Sequence, residues 1–256
     1  MITKTELDSL AKQYENEAFI KDDPIQFIHR GKSKEDSELC GFIASLFAYG
    51  NRMMFIKVLN EIFNRADNDI TNYIKNGDFS NLKGLGYRFS KDYDIIPMFE
   101  ILHKLYTESN GLEDLFSYSF MPDRGEKYDH FLKKVIDYFY ARAPIGAGQG
   151  FYHMIPDPQK GGAMKRMNMF LRWMIRKSPV DIGIWDFMKP ADLYIPLDVH
   201  VARQSRAMGL LTRKSNDYNA VRELTFKLKE YCFDDPVKYD FAMFGFGVEL
   251  NKKQRG

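Results

Sequence analysis

Apolar residues recur at spacings of three and four along most of the chain, the period of a helix with one buried face. Residues 3–19 form the first such stretch, with Leu7, Leu10, Ala11 and Tyr14 turned inward. Asp23 and Pro24 open a short helix through Phe27 and Ile28, since proline is tolerated in a first helical turn. Ser33 with Asp36 resembles a capping arrangement for residues 34–49, whose Leu39, Phe42, Ile43, Leu46 and Phe47 are core candidates. Gly50 and Asn51 interrupt the pattern, residues 52–63 resume it, and residues 69–76 end at Gly77. Further helices are predicted over residues 94–107, near 112–119 and over 125–143.

The loop of residues 77–90 carries Phe79, Tyr87, Arg88 and Phe89 among glycines. Such rings can stack on bases, but packing of the loop onto the core is the preferred reading. Residues 144–150, PIGAGQG, are too rich in glycine to continue a helix and mark a hinge or lobe boundary. The expected domains are therefore residues 1–145 and 146–256. In the second, helices are predicted over residues 159–177, 199–208, 216–230 and 237–249, the last with Phe241, Phe244 and Phe246 around Gly245 and Gly247. With no strand-type alternation and no repeat, the class is all-α.

A chain of 256 residues with 45% apolar composition can bury a substantial core. No apolar run approaches the ~20 residues that span a bilayer, and the first residues lack a signal-peptide core, so no membrane partner and a cytoplasmic location are expected. Cys40 and Cys232 are too few for a disulfide framework or a four-thiolate cluster. Five histidines lie scattered without ligand spacing, so neither a metal nor a cofactor is indicated. The net charge of +2 conceals an uneven distribution: residues 1–130 hold 16 Lys and Arg against 22 Asp and Glu, and residues 131–256 hold 21 against 13. That polarity would turn the second half toward a polyanion.

Chemistry-bearing residues concentrate between Pro156 and Gly209. From Gln159 to Lys177 the cations Lys160, Lys165, Arg166, Arg172, Arg176 and Lys177 meet no acidic residue, while Met164, Met167, Phe170, Leu171, Met174 and Ile175 recur at helical spacing. This predicts an amphipathic helix with a basic face, which charge alone reads as a solvated surface before a nucleic-acid surface. Gly161 and Gly162 open it without side chains, so their amides can approach a phosphate. Asp198 stands as an N-cap for the helix that Gly209 ends, and capping alone accounts for it. A carboxylate at a helix N-terminus, between Ile195, Leu197, Val199 and Val201, is also placed to hold a developing positive charge. Trp173 and Trp185 read as core, and Asp181 as a cap or an arginine partner as readily as a catalytic group.

The run IPLDVHVARQSRAMGLL from Ile195 to Leu211 resembles the segment that carries the essential aspartate of helix-hairpin-helix DNA glycosylases, with Asp198, His200, Val201 and Arg203 matching its pattern. The run KRMNMFLRWMIR resembles the preceding helix of the archaeal 8-oxoguanine glycosylase branch, whose helix-opening lysine corresponds to Lys165. More closely, and over most of its length, the chain resembles a mainly bacterial family of unknown function near that superfamily, through MKRMNMFLRWMIRK, PVDIGIW, IPLDVHVAR and DPVKYDFAMFGFG. The hairpin departs from the superfamily: where Leu-Pro-Gly-Val-Gly is usual, this chain has Ile155-Pro156-Asp157-Pro158-Gln159-Lys160-Gly161-Gly162.

The resemblance implies two helical lobes around a cleft, and a glycosylase with lyase activity on duplex DNA bearing a damaged base such as 8-oxoguanine. Lys165 would be the nucleophile and Asp198 its partner, with Lys160, Gly161, Gly162, Arg166, His200 and Arg203 against DNA. An amine attacks only when neutral, a state favoured by desolvation and by a cationic neighbour such as Arg166. A carboxylate pushes the amine the other way, so Asp198 would act through proton transfer or transition-state charge. Two alternatives remain: a non-catalytic nucleic-acid-binding protein on the same scaffold, and a monofunctional glycosylase in which Asp198 activates water.

Overall fold

Local capping chemistry sets most helix boundaries. In the computed structural model, which describes residues 2–120 and 128–253, Thr3 and Glu6 form a reciprocal capping box at the start of α1 (Lys4–Tyr14). Asn16 caps a separate α2 (Glu17–Ile20), so the stretch predicted as one helix is two. Pro24–Arg30 is a 3-10 helix. Ser33 caps α3 (Lys34–Phe47), Asn51 caps α4 (Arg52–Arg65), and Asp69 caps α5 (Ile70–Asn76), which Gly77 ends at φ 73°. α6 (Asp92–Glu108), α7 (Leu112–Ser119) and α8 (Tyr128–Tyr140) follow, and the first three residues of the helix expected from 125 lie outside the described residues. The remainder are α9 (Gln149–Met154), α10 (Lys165–Ile175), α11 (Val199–Ala207), α12 (Tyr218–Tyr231) and α13 (Tyr239–Lys253). A two-stranded antiparallel hairpin, β1 (Gly86–Tyr87) and β2 (Ser90–Lys91), is a small addition to an all-α protein.

The chain folds into two units, Phe27–Lys160 and a second made of Met1–Gln26 with Gly161–Gly256. In the first, α3 is buried along nearly its whole length, and Phe42 stacks on Phe139 with centroids 5.4 Å apart. The boundary expected at residue 145 differs from this division because the glycine connector is bound into the first unit. The buried Asp94 carboxylate accepts from Phe151 N at 3.1 Å, and Ser90 Oγ donates to Gly150 O at 3.1 Å. A Cβ on Gly150 would lie 2.1 Å from Asp94, so only glycine fits there. At the hairpin, Tyr87 is buried but Phe89 is 58% exposed, so the loop packs only in part as expected.

In the second unit α1 lies on α13: Tyr239 Oη donates to Asp8 at 2.8 Å, and Gly245 lets the Tyr14 ring approach α13 closely. Gly247 likewise admits Gln204 of α11. α10 is buried from Met167 to Ile175, with Trp185 edge-on to Phe170 at 5.2 Å, and both tryptophans are core as expected. Sorted by unit rather than by position in the sequence, charge is nearly even. The second unit holds 20 Lys and Arg against 17 Asp and Glu, and the first 17 against 18. The polarity of the two sequence halves therefore does not carry over to the folded units, because the acidic first 26 residues join the basic C-terminal region. Among the described residues no helix is long and apolar enough to cross a membrane.

Candidate active site

Lys165, Arg172 and Arg176 lie seven and eleven positions apart and therefore on one face of α10. That face is not the solvated basic surface expected from the sequence. Arg172 and Arg176 are buried and fully engaged: Arg172 Nε donates to Asp181 Oδ1 at 3.1 Å, and its NH1 donates to Asp240. Arg176 Nε donates to Asp235 Oδ2 at 2.7 Å and NH1 to Asp181 Oδ2 at 2.9 Å, while Glu15 takes both terminal nitrogens. Buried guanidinium groups persist only when paired in this way. Asp181, with no exposed side chain, is the arginine partner that the sequence left as one of its options.

The Lys165 end of the same face is built differently. Lys165 is the first residue of α10, after Met164 at φ 51°, a left-handed conformation with no side-chain cap. The residue is intermediate in exposure. Desolvation pushes its amine below the ordinary lysine range, opposed by Asp198, Asp23 and Asp240 and assisted by Arg166. Lys165 and Asp198, 33 residues apart in the sequence, thus act on each other in the fold.

Asp198 is the N-cap of α11, its Oδ1 accepting from His200 N and Val201 N at 2.9 Å each. Both cap bonds use one oxygen, leaving Oδ2 outside the cap. Asp240, in the first turn of α13, is partly open, and burial pushes its carboxyl up to about 6 against the pull of Arg172, with Asp198 adding to the rise. A desolvated amine and several carboxylates of unequal surroundings can exchange protons and balance a transient cation. Among the described residues no cluster of His, Cys, Asp and Glu fits a metal ion.

Asp23 and Asp240 were not singled out as site residues from the sequence. The available signal was Asp240 within KYDFAMFGFG, a lone carboxylate in an apolar helix that must find a cation on another element. His200 and Arg203 stand exposed three positions apart at the start of α11, on one side of the helix that Asp198 caps. Arg166 is half-buried. Gly161 and Gly162 are exposed, but they do not open α10 as expected: Gly161 O accepts from Tyr218 N at 2.9 Å, Gly162 bridges to Asp217, and the helix begins three residues later. Lys160 is exposed in the 3-10 turn Pro158–Lys160 of the other unit.

Residues 23–249 match the model of a family described as protein of unknown function (DUF2400). The chain belongs to that family. The matched span takes in Asp23, all of α10, Asp198 and Asp240, so Lys165 and the charged groups named above as acting on it lie inside the DUF2400 region. No curated protein matches the chain, and no solved structure does.

Proposed function

We propose that this DUF2400 member is a DNA base-excision glycosylase with associated lyase activity, on a scaffold of helix-hairpin-helix glycosylase type. The observation that carries the reading is Lys165, desolvated at the start of α10, with the carboxylate of Asp198 at the mouth of α11 among the charges that act on its amine. The Lys165 amine attacks C1′ of an extruded nucleotide, and the base leaves. The resulting Schiff base permits scission of the strand. Asp198, anchored through Oδ1, presents a negative charge to the sugar cation. His200 and Arg203 are exposed where a DNA backbone approaching Asp198 would meet them.

Borohydride trapping on duplexes carrying an abasic site, uracil or 8-oxoguanine tests this reading. The expected result is a covalent adduct with the wild-type chain, absent with Lys165→Gln, which keeps salt-sensitive DNA binding. An adduct that survives in Lys165→Gln would move the nucleophile elsewhere, with Lys160 the next candidate. The glycine turn, tied to Asp217 and Tyr218 rather than opening α10, favours a second reading, a nucleic-acid-binding protein without catalysis. Intact binding with neither adduct nor base release on any of the three probes would select it.

A further inference from the structure

Helix α12 turns toward solvent a face of rings and cations that the site around Lys165 does not use. Tyr218, Arg222, Phe226 and Lys229 follow one another at intervals of four, four and three, which places them on one side of the helix, while Ala220, Val221, Leu224 and Leu228 bury the other. Phe226 is 48% exposed. Arg222, one turn before it, holds its guanidinium carbon 5.9 Å from the ring centroid, and Lys229, one turn after, holds Nζ at 5.6 Å. Tyr194 adds a ring from the connector that carries Asp198: it lies 6.1 Å from Tyr218 with the planes 20° apart, and 6.2 Å from Phe226 at 69°. That connector is pinned to the same helix, since Ile195 N donates to Thr225 Oγ1 at 3.1 Å. The acids of α12 lie off this face and are engaged: Glu223 Oε1 accepts from Thr212 N at 2.6 Å, and Glu230 Oε2 from Lys227 Nζ at 2.6 Å. Asp192, which acts on Lys229, accepts from Lys189 N at 3.1 Å.

We infer that this face of α12 is a docking site for an unpaired strand of DNA, whose bases stack on Phe226 beside Tyr194 while Arg222 and Lys229 meet its phosphates. The combination of ring and cation selects this partner. An exposed ring accepts the face of any unpaired base, and cations one turn to either side suit the charge of the backbone that links the bases. A duplex offers base edges and phosphates but keeps its base faces stacked on one another. An acidic peptide would satisfy the cations and leave the rings without a planar partner. The inference goes beyond the glycosylase reading: it shares the DNA partner and needs no chemistry at Lys165.

Fluorescence anisotropy with three labelled probes tests the face: a thymidine oligonucleotide, a strand of equal length built of tetrahydrofuran abasic units, and a blunt undamaged duplex. The wild-type chain is expected to bind the thymidine strand more tightly than the strand without bases. Phe226→Leu, which keeps an apolar group on the helix but no ring, should bind the thymidine strand about 10-fold more weakly and the other two probes as before. Phe226→Tyr, which keeps the ring, should bind all three as the wild-type chain does. Arg222→Gln with Lys229→Gln should flatten the slope of log affinity against log salt by about 1.4, at about 0.7 for each single-strand phosphate contact. Equal wild-type affinity for the two single strands, or an undiminished affinity for thymidine in Phe226→Leu, would overturn the inference. So would loss of binding in Phe226→Tyr as well, which marks a packing role, or displacement of the strand by polyglutamate as readily as by unlabelled oligonucleotide. A dimer of the wild-type chain that Phe226→Leu dissolves would assign the face to a second copy and overturn the inference too. Borohydride trapping on the abasic duplex keeps the two readings apart: a wild-type chain that stacks the strand but forms no adduct loses the glycosylase reading alone, and one that forms the adduct but does not stack loses the docking face alone.

Discussion

At its C-terminal end α10 gives each guanidinium at least two carboxylates, and the guanidinium groups themselves are shut from water. At its N-terminal end Lys165 faces Asp198, Asp23 and Asp240 in a place that water still reaches. Of the four groups that fix Arg172 and Arg176, Asp181 follows α10 closely, while Glu15, Asp235 and Asp240 come from distant parts of the sequence. One end therefore behaves as a structural anchor that ties α1, α10 and α13 together, and the other keeps an amine and carboxylates able to change protonation. Asp240 belongs to both, through Arg172 on one side and Lys165 on the other.

The contrast breaks first at Asp181. Asp181→Ala strips a carboxylate from two buried guanidinium groups and is expected to lower unfolding free energy by about 3–5 kcal/mol, read by urea denaturation. Lys165→Gln, at the open end, removes a desolvated amine and should leave stability near wild type while abolishing the adduct. A similar loss of stability in both variants would erase the distinction.

Asp240 allows a finer test by pH. Its folded carboxyl sits at about 6, above the unfolded range, so the folded state binds the proton more tightly. Its contribution to stability is present at low pH and is lost as pH rises from about 4 through 6, on the order of 3 kcal/mol in all. Unfolding free energies measured across that window should decline more steeply in the wild-type chain than in Asp240→Asn. Equal slopes would place the carboxyl in the ordinary range.

Asp198 separates cap from charge. Asp198→Ala should cost about 1 kcal/mol of thermal stability, and Asp198→Asn only a few tenths because asparagine caps nearly as well. Trapping should fall in both. The smallest effect is expected at the exposed pair: His200→Ala with Arg203→Ala should stay within about 0.5 kcal/mol of wild type in a melt and weaken DNA binding most at low salt.

Helix positions were largely legible, because capping is local. Ser33, Asn51, Asp69 and Asp198 each sit at a helix start, and Gly77 and Gly209 take φ of 73° and 76° past helix ends. The break at Asn16 was masked by apolar spacing that runs on through both short helices. The character of α10 was not legible, because its charges are neutralised by groups up to 161 residues away, which periodicity cannot register. Six cations without a neighbouring acid read as a surface when each is scored alone, yet two of them are core. Lys165 and Asp198 were reached through motif resemblance; Asp240 needed the fold, since nothing near it in the sequence pairs with it.

The division of the second unit between Met1–Gln26 and Gly161–Gly256 also governs how the chain can be made. α1 emerges from the ribosome well before α13 and has only 11 residues, too few to hold a helix in water alone. The surface it covers on α13 is synthesised more than two hundred residues later, a delay of roughly 10–40 s at ordinary translation rates. Through that interval α1 lacks the helix it finally lies on, and for much of it Glu15 waits for Arg176. During synthesis α1 must therefore stay soluble and unpaired until α13 arrives.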